Sequence, residues 1–391
     1  MKRRDFLGAS AAGASLLALD IAPSLAQNNA PQNANAANRP FTAPKRSPLY
    51  TDGKWQQPAR AIRGVNLGAW LVLEKWMSPS LFANTEASDE YSLSQIPGGR
   101  ERIEHHRETW ISEADFRWIA EYGLDAVRIP IGFWTLQEAK PYLGAARHLQ
   151  NAFDWAQKYD LKVLLDLHGA QGSQNGWEHS GRSGEIGWTK PENRAASLQT
   201  LSMLADKYGA HPNLWGLELL NEPRYDVSLD ILREFYTSAY KTLRPKLPAS
   251  VAIVIHDAFR AGAWQGFAPA PEFSNVVLDT HLYQTFTESD SKRTPLEQVQ
   301  FALNRREEIE RLKSGPWLIV GEWSLTLPWG AMKTQTPLQR DATRLAYAGA
   351  QLLCFETSHG WFYWSYKTES GGEWSFRDCV KQGWMPASMT I

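Results

Sequence analysis

The sequence is poor in cysteine, in net charge and in long hydrophobic stretches. It contains only two cysteines, Cys354 and Cys379, and their spacing matches no zinc motif. Lys and Arg number 41 against 42 Asp and Glu, so nothing favours nucleic acid or an anionic membrane surface as a partner. The one apolar run near the N-terminus is too short and too weakly apolar to predict a membrane span. We predict no cofactor.

Tryptophan, in contrast, is abundant, with 18 residues in a chain of 391. Some of these side chains must be core, but a surplus of flat apolar faces with a polar handle is typical of proteins that stack on sugar rings. The two cysteines permit one disulfide in an oxidising compartment, and two buried free thiols are the alternative.

The N-terminus has the features of an export signal. Arg3 and Arg4, followed by Asp5, Phe6 and Leu7, resemble the twin-arginine motif of bacteria, and Ser24-Leu-Ala26 offers a cleavage site. We therefore expect a signal peptide over 1–26, a flexible leader over 27–46 and a periplasmic or secreted protein. An ordinary secretory signal and an uncleaved anchor are the alternatives.

From Ala61 onward, strand and helix patterns alternate without interruption, which predicts a single (β/α)₈ barrel over 47–391. The loops Leu73–His106 and Ala170–Pro191 are too polar and too rich in glycine to form core, and we expect them to cover the active-site face. The predicted strands are Ile62–Asn66, Ala126–Pro130, Lys162–His168, Leu214–Asn221, Val251–Ile255, Asn275–Tyr283, Trp317–Trp323 and Trp361–Tyr366. The predicted helices are Glu113–Tyr122, Leu149–Tyr159, Arg194–Tyr208, Leu229–Leu243, Leu296–Leu312, Leu338–Phe355 and Ser375–Gly383, with a poor helix around Ala261–Ala268.

Two of these apolar strands have a glutamate at the tip of their C-terminal end. Leu214-Trp-Gly-Leu-Glu-Leu-Leu-Asn-Glu-Pro223 carries Glu222, and Pro316-Trp-Leu-Ile-Val-Gly-Glu-Trp-Ser324 carries Glu322. The C-terminal ends of barrel strands are where active sites are built. Hydrolysis of a glycosidic bond requires two carboxylates, one to protonate the leaving oxygen and one to attack the anomeric carbon or activate water. A helix-capping or ion-pairing role explains either glutamate alone, but the pair favours hydrolysis.

Further polar residues occupy the same strand ends. Arg128 lies within an apolar strand, where arginines are nearly always paired, and we expect it to keep Glu322 ionised. His168, His281 and Tyr283 also end strands. Metal binding by the two histidines is the rival interpretation, but no third ligand has suitable spacing.

Five segments, in order over about Ala61 to Pro386, resemble glycoside hydrolase family 5, and within it the exo-β-1,3-glucanases of yeasts. They are the run from Arg63 to Phe82, Asp166-Leu-His-Gly-Ala-Gln-Gly-Ser-Gln-Asn-Gly-Trp-Glu-His-Ser-Gly181, Asp279-Thr-His-Leu-Tyr-Gln-Thr-Phe286, Gly321-Glu-Trp-Ser324 and Gly360-Trp-Phe-Tyr-Trp-Ser-Tyr-Lys-Thr-Glu369.

The resemblance implies a role for each matching residue. Glu222 would be the acid/base and Glu322 the nucleophile of a retaining mechanism. Asn221 would hydrogen-bond the sugar 2-hydroxyl, Trp364 would form the floor, and Glu74 would grip the far hydroxyls of the terminal glucose. The remaining implied contacts to substrate are Arg128, His168, His281, Tyr283, and the entrance aromatics Trp177 and Phe286.

The chain departs from that family at the border of the pocket. Glu178-His179 stands where Asp-Asn is usual, Ser370-Gly-Gly372 replaces an Ala-Pro, and Gln171 replaces a proline. We count Glu178 among the candidate substrate-binding residues. The first two changes leave the linkage and chain-length preference open.

The sequence therefore predicts a metal-independent, retaining glycoside hydrolase that releases glucose from the non-reducing end of a β-glucan, with β-1,3 linkages preferred. The alternatives are an endo-β-1,4-glucanase and a hydrolase of β-1,2- or β-1,6-linked glucosides or glycolipids. A non-catalytic carbohydrate-binding protein is the alternative of another class. The oligomeric state is left open.

Overall fold

The computed structural model describes residues 60–268, 272–313 and 315–390, together with two short antiparallel strands at Tyr50–Thr51 and Lys54–Trp55. The predicted signal peptide and leader lie outside the described residues. Within the described part, eight parallel strands close into a barrel. The prediction of a (β/α)₈ barrel is confirmed.

The barrel strands follow chain order around the ring, with the last strand closing on the first. They are β1 (Ile62–Asn66), β2 (Ala126–Gly132), β3 (Lys162–Gly169), β4 (Leu214–Glu218), β5 (Ala252–His256), β6 (Val276–His281), β7 (Trp317–Trp323) and β8 (Gly360–Tyr363). All eight begin within one residue of the predicted N-terminal boundary.

The barrel interior changes from apolar to charged along the strand direction. Because side chains alternate along a strand, β3 turns Leu164, Asp166 and His168 to the same side. Leu164 belongs to an apolar cluster inside the barrel, whereas Asp166 and His168 are buried polar groups. The apolar layer supports the fold from below and leaves the charged layer at the C-terminal end.

Helices surround the barrel and begin at clear local signals. In Thr294-Pro295 and Thr336-Pro337 the threonine caps the helix, the proline takes the first turn, and Glu297 or Gln339 completes a capping box. The helices longer than nine residues are Gly99–Trp110, Glu113–Tyr122, Ala146–Lys158, Pro191–Tyr208, Leu229–Leu243, Pro295–Leu312 and Pro337–Phe355. The shorter ones are Glu90–Leu93, Glu288–Lys292, Trp329–Met332 and Phe376–Lys381.

The segment Leu73–His106 is more structured than the sequence predicts. It contains the helix Glu90–Leu93 and most of the helix Gly99–Trp110, and residues such as Leu73, Phe82 and Ile103 form a small core of their own. A buried ion pair between Arg107 and Glu90 (2.7 Å) joins the two helices. The interpretation of this segment as a loop too polar for core is wrong.

Two smaller findings complete the fold. Cys354 and Cys379 are both buried and both free. No helix among the residues described has the length and apolar character needed to cross a membrane.

Candidate active site

The C-terminal ends of β2, β3, β4, β6 and β7 bring the predicted strand-end residues into one buried cluster. Glu222 and Glu322 are each 1 % exposed, and Arg128 and Asn221 are fully buried. Strand β4 ends at Glu218 rather than at Asn221, so Asn221 and Glu222 lie on a turn beyond the sheet. That turn aims their side chains back over the barrel.

Glu222 has an unusual backbone conformation. Its φ of 40° lies in the left-handed region, which costs a non-glycine residue on the order of 1–3 kcal/mol. Two neighbouring amides hold the turn: Gln174 Nε2 donates to the carbonyl oxygens of His168 (2.7 Å) and Asn221 (2.9 Å), and Asn175 Nδ2 donates to that of Glu222 (3.1 Å). The loop after β3 therefore fixes the end of β4.

His281 lies between the two glutamates. Its Nδ1 is 2.7 Å from Glu222 Oε1 and 3.5 Å from Glu322 Oε2. Burial alone would lower the pKa of His281, but the carboxylates of Glu322 and Asp279 outweigh it and raise that pKa well above the usual 6.5. The carboxylates around it therefore favour the cationic form of this imidazole.

Glu322 accepts hydrogen bonds from opposite sides. The Tyr283 hydroxyl donates to Oε2 (2.8 Å) and Arg128 Nη1 donates to Oε1 (3.3 Å). Burial, reinforced by Glu222, raises the pKa of Glu322, while His281 and Arg128 oppose that rise. The cations and the phenol are thus the groups that favour an ionised Glu322.

Arg128 makes a two-point contact with Glu218, a residue that the sequence patterns did not single out. Its guanidinium donates to both oxygens of Glu218 (2.8 and 3.0 Å), and also to Asn221 Oδ1 (2.8 Å) and Asn66 Oδ1 (3.0 Å). Burial raises the pKa of Glu218 well above 4.5, against the effect of Arg128. The sequence could have indicated this partner of Arg128, because Glu218 is a charged residue in an otherwise apolar strand, four positions before Glu222.

Asp166 and Asp279 were also missed, and each supports the histidine two positions later. Asp166 Oδ2 is 2.6 Å from His168 Nδ1, and Asp279 Oδ2 is 3.6 Å from His281 Nε2. The Asp-x-His spacing was the readable signal, because alternate residues of a strand share a face. Gly321 is required beside this pair, since a Cβ there would lie 1.9 Å from Asp279 Oδ2.

The predicted floor and far wall are formed by buried side chains. Trp364 is 1 % exposed and its ring stacks on His168, with centroids 5.5 Å apart and planes at 7°. Glu74 is equally buried, and its Oε2 accepts a hydrogen bond from Trp76 Nε1 (2.7 Å). Both residues lie in the loops that follow their strands.

The predicted entrance aromatics have neighbours that the sequence did not indicate. Trp177 lies 6.3 Å from Phe259 between ring centroids, and Phe286 is stacked near Trp374 at 6.1 Å. Phe259 is 42 % exposed and follows Ala258 in a pair of left-handed residues. No motif in the sequence signals that backbone. Glu178 is partly exposed on the same loop as Trp177.

His179 reaches the far side of Glu222. Its side chain is buried, and its Nε2 is 3.5 Å from Glu222 Oε2. The ring also lies 5.2 Å from that of His168 and 5.5 Å from that of Trp177. Glu222 therefore has an imidazole on each side, His281 at Oε1 and His179 at Oε2.

Two sets of side chains have the composition of a metal site. Ligand atoms of Glu222, His256 and His281 lie within 4.8 Å of one another, as do those of Glu218, Asp279 and His281. However, His256 Nδ1 accepts a hydrogen bond from the Ala258 backbone N–H (2.9 Å), which leaves the proton on Nε2, the nitrogen a metal would need. Glu218 already binds the Arg128 guanidinium. Neither set is a good match for a metal ion.

A closed barrel with two carboxylates at the ends of two strands is an arrangement that hydrolyses glycosidic bonds. Comparison with solved structures agrees on the fold. Rutinosidase from Aspergillus niger superposes with a TM-score of 0.71 at 21% identity, over 83% of this chain and 98% of that one. The Cel5A of Thermotoga maritima, in complex with cellobiose, gives 0.53 at 18% identity, over 82% and 96%.

Comparison with protein families identifies the class of enzyme. Residues 88–370 match the model of cellulase (glycosyl hydrolase family 5). A glucan 1,3-beta-glucosidase of Blumeria graminis is 37% identical over 83% of this chain and 86% of its own length. One of Schwanniomyces occidentalis is 34% identical over 85% and 89%. The chain belongs to glycoside hydrolase family 5 and is a glycoside hydrolase.

Proposed function

We propose that this chain is a retaining exo-β-1,3-glucanase, with Glu322 as the nucleophile and Glu222 as the acid/base. The observation that carries the mechanism is the shared contact with His281 Nδ1. The nearest oxygens of the two glutamates can be no farther apart than the sum of the 2.7 and 3.5 Å contacts. That upper bound is compatible with the ~5 Å separation between carboxyl groups that we predict for a retaining enzyme, and a separation near ~9 Å would point to inversion.

The surroundings of each glutamate fit its proposed role. Glu322, held by the Tyr283 hydroxyl and Arg128, attacks the anomeric carbon and forms a glycosyl-enzyme. Glu222 first protonates the leaving oxygen. It then takes a proton from the water that hydrolyses the intermediate. His281 Nδ1, 2.7 Å from Glu222 Oε1, positions this carboxyl group for both steps.

The substrate is proposed to be a β-1,3-glucan, because the relatives described above are named glucan 1,3-beta-glucosidases and align over most of this chain. Asn221, His168 and Trp364 contact the sugar at the cleavage point. Glu74 closes the pocket against the terminal glucose, and Trp177 with Glu178 and Phe286 meets the next sugar. A pocket closed at one end favours release of single glucose units over internal cleavage.

We also propose that the protein is exported by the twin-arginine route and acts in the periplasm or outside the cell. This rests on the sequence of residues 1–26 alone. A polymeric substrate fits that location, since a glucan chain does not need to enter the cytoplasm.

Paired variants test the two catalytic roles. Glu322→Gln abolishes turnover of every β-glucoside while the fold is kept. Glu222→Ala retains action on aryl glucosides with very good leaving groups, which need no acid, and azide partly restores its turnover by attacking the glycosyl-enzyme. Equal loss in both variants on such substrates, without azide rescue, would contradict the assignment.

A further inference from the structure

We propose that His179 is a further positioning residue for the acid/base, holding the second oxygen of Glu222 so that the ionised form can act as base in the hydrolysis of the glycosyl-enzyme. The inference rests on the proposed function and adds a residue to it. His179 lies in the pair Glu178-His179, where this chain departs from the usual sequence of the family. From the sequence, Glu178 and not His179 was a candidate for contact with the substrate.

The geometry supports an action on Glu222 rather than on the sugar. His179 Nε2 is 3.5 Å from Glu222 Oε2, and the imidazole is 1 % exposed. A buried N–H or imidazolium so close to a carboxylate oxygen stabilises the ionised form relative to the acid. His281 already contacts Oε1 of Glu222, so His179 acts on the other oxygen, Oε2.

The short helix that carries His179 is firmly anchored. The helix Glu178–Ser180 ends at Gly181 in the left-handed conformation, and the Ser173 and Ser180 hydroxyls lie 2.6 Å apart beneath it. A Cβ at Gly181 would lie 2.3 Å from the Trp134 ring. The backbone of His179 is therefore fixed relative to β2 and β3.

The charges that face Glu222 come from several strands. They are His281 on β6, Glu322 on β7, His256 on β5, and His168 and Arg128 behind them on β3 and β2. None of these side chains is itself replaced by a substitution at position 179, although His168 loses a ring neighbour 5.2 Å away. A change in the titration of Glu222 in such a variant can therefore be assigned to the lost imidazole.

The direct test is the titration of the Glu222 carboxyl carbon by ¹³C NMR, assigned by its loss in Glu222→Gln. His179→Phe, which keeps a ring but no polar atom, raises the pKa of Glu222 by about 1 unit. His179→Asn, which keeps an N–H donor, gives an intermediate value. The control is His359→Phe, which leaves the titration of Glu222 unchanged. His359 is a buried histidine stacked on Trp317 at the other end of the barrel.

Kinetics on an aryl β-glucoside with a very good leaving group separate the two steps. For such a substrate kcat reports hydrolysis of the glycosyl-enzyme, which needs ionised Glu222, whereas kcat/KM reports attack by Glu322. In His179→Phe the acidic limb of kcat moves up by about 1 pH unit, while that of kcat/KM stays in place. A purely structural role would move both limbs together or neither.

The titration decides the inference even without turnover. If Glu222 titrates at the same pH in wild type and His179→Phe, the role of His179 is wrong, whatever the enzyme hydrolyses. If the wild type hydrolyses no β-glucoside, the proposed function is wrong, and the shifted titration would still establish His179 as the partner of Glu222.

Discussion

At the scale of single residues, the main feature is a group of charges buried beneath the site. Arg128 lies among the carboxylates of Asp166, Glu218 and Glu322, with Asp279 at 3.9 Å. Charges in an interior cost free energy unless each is paired and hydrogen-bonded. Here the single guanidinium of Arg128 faces several carboxylates, so negative charge is in excess. That excess favours retention of protons on the carboxylates.

Glu218 gives a prediction about stability. The pKa of Glu218 is raised on folding. Its contribution to the free energy of unfolding is therefore present in full below a pH of about 4.5, and it is lost as the pH rises through the folded-state pKa. Glu218→Gln imitates the protonated form. We expect the stability of Glu218→Gln, relative to wild type, to increase with pH above about 4.5. Urea denaturation at a series of pH values measures this difference.

Glu218→Ala serves as the contrasting variant. It removes the two oxygens of Glu218 that accept from the buried Arg128 guanidinium, a loss of about 3 kcal/mol. A stability of Glu218→Gln, relative to wild type, that does not rise with pH would contradict the raised pKa of Glu218.

At the scale of elements, sequence patterns predicted strands better than the segments between them. Apolar runs such as Trp317–Trp323 are identifiable because both faces of a barrel strand are buried. The helix Gly99–Trp110 was missed because its buried side includes His106 and Arg107, so it has little apolar periodicity. The Glu90–Arg107 ion pair that compensates for this links distant positions and leaves no local pattern.

The same distinction applies to the site. The residues at strand ends were predictable, because parallel strands bring their C-terminal ends to one edge. Phe259 and the amides Gln174 and Asn175 were not predictable, since their positions depend on left-handed backbone and on loop packing. These loops carry the contacts that we expect to govern chain-length preference.

The loop after β3 gives a prediction about substrate length. Trp177→Ala removes an aromatic face worth about 1 kcal/mol, which lowers kcat/KM on laminari-oligosaccharides about fivefold. Aryl glucosides, with less to stack, are affected less. Trp329, on the helix Trp329–Met332, is 64 % exposed and is the matched control. Trp329→Ala leaves kcat/KM unchanged for both classes of substrate. Equal losses on both classes in Trp177→Ala would place the ring outside the leaving-sugar subsite.

At the scale of the whole molecule, export and catalysis are proposed to reside in separate parts of the chain. The barrel holds every candidate site residue, and the twin-arginine signal lies in residues 1–26. Replacing Arg3 and Arg4 with lysine is therefore expected to leave the activity of the purified protein unchanged but to trap the precursor in the cytoplasm. Cell fractionation with immunoblotting measures this. Undiminished export of the variant would instead assign the signal to the general secretory route.

The central claim is that the chain removes glucose units from one end of a β-1,3-glucan with retention. The most direct measurement is a ¹H NMR time course of the first sugars released from a laminarin-type chain, recorded before mutarotation. We predict free glucose in the β configuration as the only early product. Early α-glucose would contradict the retaining pair, and early oligosaccharides of two or more sugars would contradict the closed pocket and exo action.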